Sequence, residues 1–176
     1  MRKPADPAKI RRLLEELGRQ SRGPGRVYLV GGATALLEGW RSSTVDVDLK
    51  LDPEPEGIFE AIARLKDELQ VNVELASPDQ FLPPLPDWKA HSRFIARHGE
   101  VEFFHYDLRS QALAKLARAH DRDLLDVRAM LDLGLVTRNE ILQGLDQIRD
   151  QLIRYPALDA DSFELRVRRF FKTDDD

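Results

Sequence analysis

The sequence predicts an α/β (α+β) protein, a mixed sheet core with flanking helices followed by a C-terminal helical segment. Three observations carry that expectation. Short β-rich runs alternate with helical stretches as far as Asp107. From Arg109 onward the apolar residues recur at helical spacing to the end. The composition, 42% hydrophobic and 33% charged, is that of an ordinary globular chain with a solvated surface. Its 176 residues suffice for one domain with a real core, or a compact core plus a helical appendage. The expected division is an α/β core over residues 1–107 and a helical part over 108–176 packed on it.

The elements follow in order. Asp6-Pro7 is a helix start, a capping carboxylate before proline at the first helical position. Ile10, Leu13, Leu14 and Leu17 then repeat at helical spacing, and Gly18 is placed to close that helix. Arg26 to Val30 is a short β-rich run that stops at Gly31-Gly32, and Ala33 to Glu38 reads as helical. In Thr44 to Asp52 (TVDVDLKLD) the alternation puts Val45, Val47, Leu49 and Leu51 on one strand face. Asp46, Asp48, Lys50 and Asp52 fall on the other.

Ile58, Ile62 and Leu65 mark a helix, and Val71 to Ala76 a further strand. Ser77 to Lys89 carries four prolines and is expected as an ordered, irregular connection. Arg93 to Arg97, His98-Gly99 and Val101 to Tyr106 read as a β-hairpin. Thr137-Arg-Asn-Glu140 is a capping box, and Ser162 to Phe171 suits a last helix.

Composition excludes several chemistries. The chain has no cysteine, which removes disulfides, thiol nucleophiles and cysteine-bound zinc. MRKPADPAKIRR lacks the apolar stretch of a secretory signal, and the run Val27 to Leu37 is too short to span a bilayer, so a cytoplasmic protein is expected. A net charge of −4 argues against coating nucleic acid by charge alone. Arg166, Arg168, Arg169 and Lys172, followed by Asp174, Asp175 and Asp176, read as a solvated helix face with a frayed acidic tail.

One constellation carries chemistry. A strand runs into Gly31-Gly32 and then a helix, and a second strand soon after carries Asp46 and Asp48 on one face. A third strand carries Glu74 where it could join them. A glycine pair at a helix start lets backbone N–H groups approach a phosphate. Two carboxylates on one strand face can share Mg²⁺, and Mn²⁺ is an alternative occupant. A third carboxylate on a neighbouring strand can complete a metal site or serve as base. A lone Asp-x-Asp, or a lone Gly-Gly, is weak evidence, but their order together is far more specific.

In that order GGATALLEGWRSSTVDVDL resembles the nucleotidyltransferase motif of the DNA polymerase β superfamily. Its flavour is similar to bacterial nucleotidyltransferases related to the AbiEii abortive-infection toxin and to an uncharacterised family close to it. VNVELASPDQFLPP, FHYDLRSQALAKLAR and RDLLDVRAML extend the resemblance, which covers Val27 to Leu131. The resemblance implies a nucleotidyltransferase fold and a magnesium-dependent transfer of a nucleoside monophosphate from an NTP to an acceptor hydroxyl. It further implies a toxin-like or defence role, an RNA (such as a tRNA end), protein or small-molecule acceptor, and a small antitoxin-like partner. Gly31 and Gly32 take the phosphate role, Asp46 and Asp48 the metal role, and Lys115 with Arg122, Asp123 and Asp126 the later motifs. Two departures stand out. Gly32 replaces a common serine, which removes a side-chain contact to phosphate, and Asn72 occupies the spot nearer to where a third aspartate would stand than Glu74 does.

If Ala112 to Met130 were one helix, Lys115, Arg122 and Asp126 would share nearly one stripe. That stripe either faces a triphosphate or is an ordinary salt-bridged surface, and His120-Asp121 is a place where the helix could break, with Asp121 capping the next one. Arg41 either touches the nucleotide or is solvated. His91, His98 and His105 lack metal-ligand spacing and read as structural or exposed. Two rivals remain beside the enzyme reading, a nucleotide- or partner-binding module without turnover, and a plain α/β interaction domain in which the Asp-x-Asp is incidental.

Overall fold

Asp6 opens the first helix, its carboxylate accepting from the Lys9 N–H at 2.8 Å with Pro7 in the first turn. In this computed structural model, which describes residues 3–173, that helix is α1 (Pro7–Gln20). Asp174 to Asp176 lie outside the described residues. Gly18 does not end α1. It sits inside the helix where a Cβ would overlap the His98 backbone and side chain, so glycine is needed there for close approach of the hairpin.

The order continues β1 (Gly25–Val30), α2 (Gly32–Glu38), β2 (Asp46–Leu51), α3 (Ile58–Glu68) and β3 (Asn72–Leu75). After a 3-10 turn at Pro78–Gln80 come α4 (Trp88–His91), β4 (Arg93–His98) and β5 (Val101–His105). The helical stretch comprises α5 (Leu108–Arg118), α6 (Asp121–Asp132), α7 (Arg138–Ile148), a 3-10 segment Arg149–Arg154 and α8 (Ala160–Lys172).

The chain forms two compact units. The first, residues 1–77 and 92–106, holds a five-stranded mixed sheet in the order β3-β2-β1-β5-β4. β1 pairs antiparallel with β2 and parallel with β5, β2 pairs parallel with β3, and β4 and β5 form the hairpin. One sheet face supplies Val27, Leu29, Val47, Leu49, Val73, Val101 and Phe103 to a core shared with Ile10, Leu13, Leu14 and Leu17 of α1 and Ile58, Ala61 and Leu65 of α3. The opposite face therefore carries Asp46, Asp48, Lys50, Asn72 and Glu74. Val45 is not part of this alternation. It precedes β2 and is 61% exposed.

The second unit is residues 78–91 and 107–176. It takes in the proline-rich connection after Ser77, which the sequence alone does not assign to the helical part. α5 packs against α6, α7 and α8. Its Leu113 meets Leu85 over Gly144 of α7. The Thr137 capping box is complete, with Thr137 Oγ1 accepting from the Glu140 N–H at 3.2 Å and Glu140 accepting from the Thr137 N–H at 2.7 Å. Ala112 to Met130 is not one helix. Ala119 takes a left-handed conformation, φ +53°, and ends α5, and His120 rather than Asp121 is the N-cap of α6. Of the C-terminal basic cluster, Arg168 pairs with Glu164 at 2.9 Å, while Arg166 donates to the carbonyls of Leu116 and Ala117. Among the described residues no helix is long and apolar enough to cross a membrane.

Candidate active site

The turn after β1 sets the geometry. Gly31 has φ +62° and ψ −124°, a combination that side-chain-bearing residues avoid. It reverses the chain into α2, and its carbonyl accepts the Ala35 N–H at 3.0 Å. Val30 lies opposite Asp48 in the β1–β2 ladder, so this turn stands beside the carboxylates of β2. An ideal Cβ on Gly31 would lie 3.4 Å from Asp48 Oδ2.

Asp46 and Asp48 rise from the same face of β2, two residues apart, both partly exposed. The parallel register sets Asn72 opposite Asp46 and Glu74 opposite Asp48. Asn72 Nδ2 donates to Asp46 Oδ1 at 2.6 Å and to Glu74 Oε1 at 2.9 Å. Glu74 is exposed. These four side chains and Gly31 form one patch on the first unit. Among the described residues, no three histidine, aspartate or glutamate side chains are gathered as a ready coordination shell. The donors on β2 are hard carboxylate oxygens, the chemistry that Mg²⁺ and Mn²⁺ prefer, so Asp46 and Asp48 fit such an ion.

Gly32 has a reason of its own. A Cβ at this position would overlap Thr44 Oγ1, so the space of a serine side chain is already filled. Thr44 is held by two backbone hydrogen bonds with Ala5, at 2.7 and 3.0 Å, and its hydroxyl donates to the Asp46 carbonyl at 3.0 Å. A hydroxyl therefore returns to the glycine pair from Thr44 rather than from position 32.

His105, which lacks any metal-ligand pattern in the sequence, is 4% exposed and lies in register with Leu29 on β1. Its Nδ1 is 3.1 Å from Thr34 Oγ1, and its Nε2 is 3.2 Å from Glu38 Oε1. The Thr34 hydroxyl also reaches the Leu29 carbonyl at 3.2 Å. This network ties α2, and with it the glycine turn, to the sheet. Burial, with the Arg93 guanidinium nearby, pushes the imidazole down to about 4. The Glu38 carboxylate pulls the other way, but burial of the ring outweighs it.

Lys115, Arg122, Asp123 and Asp126 belong to the second unit. Lys115 is 5% exposed, and its Nζ donates to Asp126 Oδ2 at 2.7 Å and lies 3.6 Å from Asp123 Oδ1. Arg118 donates to the same Asp123 oxygen at 2.7 Å. Two cations thus face two buried carboxylates. Because the helix breaks at Ala119, Arg122 leaves this group and is exposed. Arg41 follows α2 and is partly buried, its N–H donating to the Ala35 carbonyl at 3.3 Å.

Sequence reasoning passed over Thr44 and the amide function of Asn72, and it read His105 as structural or exposed without finding its partners. Only strand register could have found Asn72, because its partners are 26 and 2 positions away. No curated protein and no solved structure matches the chain. A family model described as "Nucleotidyltransferase of unknown function (DUF6036)" matches residues 8–170. That match spans almost the whole chain and takes in the glycine turn, both β2 aspartates and the helical unit, and the protein accordingly belongs to this nucleotidyltransferase family.

Proposed function

We propose that the Asp46–Asp48 patch transfers a nucleoside monophosphate from an NTP to an acceptor hydroxyl with a divalent cation, Mg²⁺ or Mn²⁺. The observation that carries the reading is the meeting of Asp48 with the Gly31 turn, beside Asp46 on the same strand face. Asp46 and Asp48 would hold the cation, which when bound neutralises charge developing on the transferred phosphoryl group. Gly31 and Gly32 leave backbone close to the triphosphate, and Glu74, exposed and opposite Asp48, is positioned as the base.

The acceptor oxygen forms a bond to the α-phosphorus, and the bond from that phosphorus to the bridging oxygen of pyrophosphate breaks. The hydroxyl proton goes to Glu74, and pyrophosphate leaves with the bonding electron pair. Arg41 is assigned to the nucleotide. Lys115 is assigned to the internal charge group with Asp123 and Asp126, because its ammonium already faces two carboxylates. Resemblance of GGATALLEGWRSSTVDVDL to AbiEii-type proteins favours RNA or protein over a small molecule as acceptor, and a toxin-like enzyme with an antitoxin-like partner. Incubation with each labelled NTP, Mg²⁺ and total RNA or lysate tests the reading. Label must appear in RNA or protein with the wild type and disappear with Asp46→Asn; its absence for all four nucleotides would refute transfer to these acceptors.

A further inference from the structure

The amide of Asn72 stands between two carboxylates. A primary amide nitrogen carries two hydrogens, and here one goes to Asp46 Oδ1 at 2.6 Å and the other to Glu74 Oε1 at 2.9 Å. The parallel register of β2 and β3 raises all three side chains from neighbouring positions on one sheet face. The oxygens that turn toward each other across the strands are therefore occupied by N–H groups. A cation seated between Asp46 Oδ1 and Glu74 Oε1 would compete with the amide for the space between those two oxygens.

We propose that the Asn72 amide fills the place of a second cation, so that the protein itself holds one cation, on Asp46 and Asp48, with Asn72 positioning Glu74 beside it. This rests on the metal reading of Asp46 and Asp48. The amide offers partial positive charge to two carboxylates while adding no net charge, so it holds them together where they would otherwise repel. Asp46 contributes Oδ1 to the clamp. Asn72 is a positioning residue, since it acts on Glu74 and Asp46 rather than on substrate.

The test is a Mn²⁺ titration of the full chain without nucleotide, followed by electron paramagnetic resonance of free Mn²⁺, with melting curves alongside. The wild type is expected to bind one Mn²⁺ per chain, and Asp46→Asn to lose it. Asn72→Asp removes both donors and adds a carboxylate between the other two. It is expected to bind a second Mn²⁺ and to melt lower than wild type without metal, with Mn²⁺ restoring the difference. Asn72→Ala, which adds no charge, is expected to keep one Mn²⁺ and to lower kcat at least ten-fold with KM for NTP unchanged. Two Mn²⁺ on the wild type, one on a folded Asn72→Asp, or an Asn72→Ala with wild-type kcat would each overturn the inference while leaving the metal reading standing. A wild type that binds no Mn²⁺ would overturn both.

Discussion

Thr44 stands where a side chain on Gly32 would have to go. Its hydroxyl and Cβ both lie too near for an added methyl group at position 32. Thr44 cannot retreat cheaply, because its backbone is bonded to Ala5 and its hydroxyl to the Asp46 carbonyl. Gly32→Ala is therefore expected to cost about 1–3 kcal/mol, the usual range for overpacking. Adding Thr44→Gly opens the space, so the pair is expected to cost less than the two single changes together. Chemical denaturation of the four chains measures that coupling. Additive losses would show that the crowding is relieved elsewhere.

Acid should act through His105. Its folded-state pKa of about 4 lies below the ordinary 6.5, so the unfolded chain takes up a proton that the folded chain refuses. The contribution is complete above pH 6.5 and is lost as the pH falls from there toward 4. The loss is at most about 1.4 kcal/mol for each pH unit in that window. The groups that face the ring are Thr34, Glu38 and Arg93. His105→Gln keeps polar contact with Thr34 and Glu38 but does not titrate. Melting temperatures of the two chains between pH 7 and 4 are expected to converge as the pH falls, and parallel curves would contradict the assignment.

The Lys115–Asp126 pair gives a third test. Lys115→Met leaves Asp126 buried without its cation and is expected to cost about 3–5 kcal/mol. Adding Asp126→Asn neutralises the orphaned charge and should recover most of that loss. The double variant, refolded and stable, is expected to bind NTP as the wild type does. A ten-fold weaker NTP affinity in that folded variant would make Lys115 a phosphate ligand instead.

Local pattern carried the parts that depend on neighbours in the chain. Asp6-Pro7, the alternation from Asp46 to Leu51 and the Thr137–Glu140 box each act within a few residues, so their physics is written in order along the sequence. Contacts that depend on register were not legible. Asn72 serves Asp46 only because β2 and β3 run parallel with those two positions opposite. His105 looks unremarkable until β5 is laid beside β1 and α2 folds back over it. Gly18 reads as a helix stop, yet α1 continues to Gln20 because the hairpin needs the missing side chain. The break between α5 and α6 was legible at His120-Asp121, but not the residue that turns it, since alanine favours helix and nothing local marks the left-handed backbone of Ala119.

Nucleotide transfer by wild type, Asp46→Asn and Asp48→Asn, each paired with its metal-free melting temperature, tests the central claim most directly. Asparagine keeps an oxygen in position 46 that can accept from Asn72, and it removes one of two charges that repel each other without metal. The folds are therefore expected to melt within a few degrees of wild type. Transfer is expected to fall by about a hundred-fold or more, because a ligand of the cation that neutralises the developing phosphoryl charge is gone. Variants that melt normally and transfer at the wild-type rate would place the chemistry elsewhere in the chain, and variants that unfold would make the two aspartates structural.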